Sequence, residues 1–244
     1  MSHALSFIGL HYWAGAGHAF QPVADALGSE YAFFAPDLGG FGTAPAPRAG
    51  YSVDAYADEV AQFIQQQPVG RYVLVGHSMG GKIALALAAR HLPGLAGVVL
   101  LSPSPPTPEP MTDEDRQASL RAWGKPAAAE KTLRKITARP LPQAWQKQII
   151  ADNLRSSQEA WEAWLLHGSR ENIADRLWSI NVPCTIVAGD VDAVMSPSLH
   201  GLETLPLLPA GTHLEIISGA GHLLPYEAPE EVARLLRAFA QGLE

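Results

Sequence analysis

The chain has 244 residues, ample for one α/β domain with a well-buried core, and its 47% hydrophobic and 17% charged residues exclude a disordered or fibrous protein. No apolar stretch reaches the roughly 18 residues a membrane span requires. A formal charge of −7 argues against a nucleic-acid or anionic-membrane surface, because such partners select clustered Lys and Arg.

Taken in chain order, short apolar runs rich in β-branched or aromatic residues recur at 5–10, 31–36, 71–76, 97–102, 184–189 and 213–218, and they read as strands. Most are nearly continuous in hydrophobicity, as expected when helices cover both faces of a parallel sheet. Helical patterns fall between them at about 18–28, 52–67, 79–91, 197–208 and 226–241, so an α/β sheet with right-handed crossovers is expected. The last run alternates His213, Glu215 and Ile217 against Leu214, Ile216 and Ser218, which suits an edge strand. The final helix starts with Pro229 and two glutamates, then spaces Val232, Leu235, Leu236 and Phe239 for packing on the sheet.

Beyond the proline-rich "PSPPTPEP" (103–110) the chain turns polar, helical and strand-free until "NVPCTIV" resumes the sheet. The expected organisation is a core of 1–104 and 181–244 with an inserted helical cap over 105–180. Five of the six tryptophans lie in the cap: Trp123, Trp145, Trp161, Trp164 and Trp178. They suit either an apolar pocket wall or packing between cap helices. Cys184, the single cysteine, reads as a small hydrophobe on a buried strand, and no internal disulfide can form. The N-terminal "MSHALSFIGLHYWAG" lacks the basic region and the apolar length of a signal peptide, so a cytoplasmic location is expected.

Gly76-His77-Ser78-Met79-Gly80 matches G-x-S-x-G, a pattern that carries chemistry when a strand stops, turns sharply and starts a helix with the serine at the turn. Here "YVLV" precedes it and "KIALALAAR" follows. The Met79 amide would then sit at the positive end of a helix, where it can stabilise an oxyanion.

A serine hydroxyl needs a base, and histidine is the usual one. His200 falls in a helical pattern and His213 in a strand, whereas His222 follows the last strand through the turn "GAG" and can reach the carboxyl edge of the sheet. The loop "IVAGDVDAVMSP" offers two acids to orient it. Asp190 is nearer the strand end and suits a turn, while Asp192 lies further out and can reach the histidine.

The motifs "GHSMGG" (76–81), "GDVD" (189–192), "GHLLPYEAPEEV" (221–232) and "APDLGGFGTA" (35–44), in this order of roles, resemble those of the α/β-hydrolase superfamily, in particular its small cap-bearing esterases, lactonases and cofactor-free haloperoxidase-like members. The resemblance covers nearly the whole chain except the cap. It implies Ser78 as nucleophile, His222 as general base and Asp192 as its orienting acid. It also implies backbone N–H groups of Met79 and Trp13 as oxyanion donors, the latter from "LHYWAGAG". Tyr12 stands where relatives carry glycine, so strain at Tyr12 or a shifted loop is expected if that glycine has positive φ. His11 resembles a histidine that braces the loop, and Thr43 a turn residue.

The function so implied is hydrolysis of a small carboxylic ester, lactone or thioester, with no cofactor and no metal, since no H-E-x-x-H or similar ligand spacing occurs. Trp13, His77, Trp123, Trp145, Trp161 and Trp164 are the expected pocket residues. Within the same fold, peroxide-dependent chemistry and C–C bond hydrolysis are alternatives; the latter would use cap arginines such as Arg121, Arg134, Arg139, Arg155 and Arg170 to hold an acidic substrate. A slow-turnover small-ligand receptor is the alternative from another class.

Overall fold

The computed structural model describes residues 5–47 and 49–243, so residues 1–4 of the N-terminal stretch read above lie outside it. Six parallel strands form one sheet: β1 (Ser6–Leu10), β2 (Ala32–Phe34), β3 (Tyr72–His77), β4 (Leu95–Leu101), β5 (Cys184–Gly189) and β6 (His213–Ile217). Their spatial order is β2-β1-β3-β4-β5-β6. The direction of strand addition reverses between β1 and β3, and the chain leaves these two neighbours on opposite sides of a crevice at their carboxyl ends. That crevice is where open α/β sheets bind ligands.

β1, β3 and β5 are buried along their whole length, in line with their uninterrupted apolar sequences. One face of the sheet is covered by α1 (Gln21–Leu27) and, from the far end of the chain, the last helix, through residues such as Val23 and Leu236. The other is covered by α2 (Val53–Gln66) and α3 (Met79–Ala88), with Tyr56, Val60, Ile83 and Leu87 packed on Leu74, Val98 and Ile186. Each such fully buried side chain contributes about 1.5–3 kcal/mol. Cys184 is buried on β5, and burial pushes its thiol up to about 12.

Four helices lie between β4 and β5: α4 (Asp113–Leu120), α5 (Pro126–Ile136), α6 (Gln143–Arg155) and α7 (Gln158–Leu166). Thr112 caps α4 through the Asp115 N–H, at 3.1 Å, and Ser157 caps α7 through the Ala160 N–H, at 3.2 Å. Lys82 ties this helical layer to the core. Its side chain is fully buried on α3, and its ammonium donates to the carbonyls of Thr107 (3.0 Å) and Glu171 (2.9 Å), one at each end of the inserted stretch. Burial depresses it to about 8, against the pull of Glu109 and Glu171.

Two elements differ from the expected pattern. The helix over 197–208 is one α-turn, α8 (Pro197–Leu199), followed by a π turn (His200–Thr204) and a 3₁₀ turn (Leu205–Leu207), because Pro206 lacks the N–H that would continue an α-helix. The helix over 226–241 is split into α9 (Leu224–Glu227) and α10 (Pro229–Gln241), since Ala228, at φ −144°, precedes a proline and leaves the helical region. β6 is an edge strand, with Ile216 exposed and Ile217 buried. Among the described residues no helix is long and apolar enough to cross a membrane.

The start of α3 presses against the end of β1. A methyl group on Gly80 would overlap the Leu10 carbonyl, and one on Gly76 would come within 2.5 Å of the Gly80 carbonyl oxygen. Gly80→Ala should therefore lower unfolding stability by about 1–3 kcal/mol, because backbone on both sides has to shift. Urea denaturation measures this, and an unchanged midpoint would contradict the tight packing.

Candidate active site

β3 ends at His77 and α3 begins at Met79, which leaves Ser78 alone at the turn with φ 53° and ψ −116°. A left-handed serine costs of order 1–3 kcal/mol, so the surroundings must hold it. They do so by three backbone bonds: the Ser78 N–H donates to Leu101 (3.0 Å), and its carbonyl accepts from Gly81 (2.8 Å) and Ser104 (2.9 Å).

The structure brings Ser78, His222 and Asp192 together. Ser78 Oγ lies 3.0 Å from His222 Nε2, and His222 Nδ1 lies 2.8 Å from Asp192 Oδ2. All three residues are more than nine-tenths buried. Asp192 Oδ1 accepts the backbone N–H groups of Val194 (2.7 Å) and Met195 (2.9 Å). Burial alone would raise this carboxyl, but the His222 ring and the two amides outweigh it and hold it near 2. An ionised Asp192 requires His222 to carry its proton on Nδ1, which leaves the Nε2 lone pair facing the serine. Asp190 instead closes the turn after β6, accepting from Ser218 Oγ (3.0 Å) and the Gly219 N–H (2.6 Å).

Two other histidines flank the site and remain neutral. The His77 ring is fully buried and donates Nε2–H to the His222 carbonyl at 2.8 Å, fixing the backbone of His222. Burial and the neighbouring His222 lower it to about 3. His11 accepts the Leu38 N–H on Nε2 (3.0 Å) and donates from Nδ1 to the Tyr12 carbonyl (2.7 Å); burial lowers it to about 4. Asp37 completes this bracing: its carboxylate accepts from the Gly17 N–H (2.7 Å) and from both the N–H (2.7 Å) and hydroxyl (2.8 Å) of Thr43. His200 is buried on the π turn and His213 stands exposed on β6, and neither meets Ser78.

The loop after β1 lies beside the start of α3, and among the described residues neither the Trp13 nor the Met79 N–H has a partner. Tyr12 is not the strained residue there. The left-handed position falls on Ala14, at φ 63°, where a methyl side chain is small enough to fit.

A cavity of about 200 Å³ adjoins Ser78 and His222. Trp13, Trp161 and Trp164 line it, with the Trp13 and Trp161 rings 4.1 Å apart. Leu133, Ile136 and Ile149 from α5 and α6 add apolar wall. His77, Trp123 and Trp145, expected in the pocket, are elsewhere. His77 is tied to the His222 carbonyl (2.8 Å), Trp123 donates its indole N–H to the Ser156 carbonyl (2.9 Å), and Trp145 packs on Tyr226 with ring centres 5.8 Å apart. Trp178 is 83% exposed. No arginine lines the cavity among the described residues; Arg139 binds Glu231 and Arg170 binds Asp113, both at 2.8 Å.

Residues 6–164 match the family model described as the α/β hydrolase fold. The chain belongs to that family. As an α/β hydrolase it is 28% identical to a pimeloyl-[acyl-carrier protein] methyl ester esterase of Neisseria meningitidis serogroup A, over 96% of this chain and 76% of that protein. It is also 28% identical to a 2-succinyl-6-hydroxy-2,4-cyclohexadiene-1-carboxylate synthase of Serratia proteamaculans, over 95% of this chain and 91% of that one. In fold it is similar to an esterase of Exiguobacterium antarcticum, with a TM-score of 0.88 and 22% identity over 99% of this chain and 93% of the other.

This α/β hydrolase also holds His222 by a residue that the sequence analysis did not single out. Glu227, buried on α9, accepts the N–H groups of Gly221 and Leu223 on either side of His222, each at 3.0 Å. The same carboxylate accepts from Ala138 (2.7 Å) and Arg139 (2.8 Å) just past α5, joining the histidine loop to the inserted helices. Its signal in the sequence was a glutamate amid apolar residues in "LLPYEAP", five positions beyond the histidine.

Asp192→Asn tests the tautomer argument. The Val194 and Met195 amides demand an acceptor, so the new carboxamide must turn its NH₂ toward His222 Nδ1. The ring proton then moves to Nε2, and the lone pair facing Ser78 is lost. Turnover of a substrate that reacts at Ser78 should fall on the order of 10⁴-fold with the fold unchanged by circular dichroism; a loss of only a few-fold would contradict the tautomer argument.

Proposed function

We propose that this protein hydrolyses small carboxylic esters through an acyl-enzyme on Ser78. The observation that carries the reading is the unbroken path from Ser78 Oγ to His222 Nε2 (3.0 Å) and from His222 Nδ1 to Asp192 (2.8 Å), beside a small apolar cavity.

The steps follow from these atoms. His222 Nε2 takes the hydroxyl proton as Ser78 Oγ attacks the ester carbonyl, and Asp192 stabilises the imidazolium. The oxygen of the tetrahedral intermediate takes hydrogen bonds from the Trp13 and Met79 amides, each worth about 3 kcal/mol by comparison with donor deletions elsewhere. Collapse expels the alcohol, which receives the proton from His222. Water then attacks the acyl-serine by the same route, with His222 again as base, and releases the acid.

The named relative that cleaves a methyl ester supports ester chemistry, and its own substrate stays with it. The reading carries with it a cytoplasmic setting, supported by the lone cysteine, which is buried on β5.

A fluorophosphonate should label Ser78, and Ser78→Ala should abolish both labelling and ester hydrolysis, lowering kcat on the order of 10³-fold or more. An intact protein that hydrolyses esters without Ser78 would overturn the reading. Activity should also fall on the acid side, where the acceptor for the serine proton is lost, while Asp192, held near 2, stays ionised. A rate that is flat well into acid would contradict His222 as base.

A further inference from the structure

The cavity beside Ser78 is apolar except at a few points, and one of these is a buried carboxyl that the proposed hydrolysis does not use. Glu109 lies in the stretch joining β4 to α4, fixed by its N–H to the Ser169 carbonyl at 2.8 Å, and is 8% exposed. It lines the inner cavity with Ser78 and His222, and it also lines the adjoining outer hollow with Lys131, Thr132 and Lys135. It therefore borders both hollows.

A carboxyl so placed needs a reason, because burying one without partners costs several kcal/mol. Two buried cations lie in its surroundings, Lys82 and Arg116, but both are engaged elsewhere. Lys82 donates to the Thr107 and Glu171 carbonyls, and Arg116 to the Leu165 carbonyl and Ser169 Oγ. Among the described residues Glu109 forms no ion pair within 4.0 Å, and the nearby Ser104 hydroxyl is buried without a hydrogen-bond partner. Burial raises its carboxyl above the usual range, with Ser104, Lys82, His222 and Arg116 opposing.

We infer that Glu109 is a specificity-determining residue that accepts a hydrogen bond from an uncharged donor, a hydroxyl, on the ester substrate. This rests on the esterase reading and names the class of ester. A hydroxyl satisfies the carboxyl whether or not the latter is ionised, since either form retains an acceptor oxygen. An ionised Glu109 opposes a substrate carboxylate in the same place, and a purely apolar chain end leaves the carboxyl unpaired. An ammonium faces Lys82 and Arg116. The rest of the wall, formed by Trp13, Leu133, Ile149 and Trp161, suits the hydrocarbon part of such a molecule.

The test compares kcat/KM for matched methyl esters whose acyl chains end in methyl, hydroxyl, ammonium or carboxylate, together with acetate esters of the corresponding alcohols, in the wild type, Glu109→Gln and Glu109→Leu. In the wild type the hydroxyl-ended ester of one series should exceed its methyl-ended partner by about tenfold or more, with the two charged ends below it. Glu109→Leu should bring the hydroxyl-to-methyl ratio to one or below. Glu109→Gln, which keeps an acceptor and removes the charge, should retain a hydroxyl preference and accept the carboxylate-ended ester better. Fluorophosphonate labelling of Ser78 in each variant reports an intact site. Labelled variants with the wild-type ratio, or a wild type with no hydroxyl preference in either series, overturn the role of Glu109 alone. A wild type that neither labels nor cleaves any of the esters overturns the esterase reading and this inference with it.

Discussion

One backbone conformation governs the rest: Ser78 at φ 53°, wedged between a strand end and a helix start. Relaxing it would turn Oγ away from the crevice, and the close approach of β1 to α3 prevents that. Gly76 and Gly80 have no room for a side chain, so β3, β1 and the first turn of α3 behave as one packed unit. The same closeness brings the start of α3 against the Leu10 and His11 carbonyls, where the loop after β1 begins.

Around this unit the polar groups are arranged so that one proton position is left free to change. His11 and His77 are buried, hydrogen-bonded and held neutral, at about 4 and about 3, so each serves as a fixed strut. Asp192 and Glu227 remain as acceptors, the first saturated by two amides and the His222 ring, the second by four backbone N–H groups. His222 is gripped at its carbonyl by His77, at its own N–H by the Ile136 carbonyl (2.9 Å), and at Nδ1 by Asp192. Its Nε2 alone points at a group that can react. Because Ile136 ends α5, the helices between β4 and β5 brace His222 as well as lining the cavity.

The sheet and its covering helices were legible because continuous apolar runs and amphipathic stretches follow directly from burial on two faces or one. Ser78 was legible from its glycines, and His222 from its position after the last strand. What escaped were features set by contacts between distant segments. Three tryptophans share a composition-rich stretch with two that reach the cavity, yet Trp123 and Trp145 are drawn to Ser156 and Tyr226, and Trp178 to solvent. The left-handed residue of the β1 loop is Ala14 and not Tyr12, a choice fixed by how the loop meets Asp37 and Leu38 through Gly17 and His11. Glu109 and Glu227 stood in proline-rich and apolar contexts, where a lone carboxylate carries no periodic signature.

The account is tested most directly by a crystal structure of the protein after phosphonylation of Ser78. It predicts a phosphoryl oxygen within about 3 Å of both the Trp13 and Met79 nitrogens, with His222 Nε2 still beside Oγ and Ser78 still left-handed. An adduct whose oxygen faces solvent, or a Ser78 that has relaxed to ordinary helical or extended backbone angles, would contradict it.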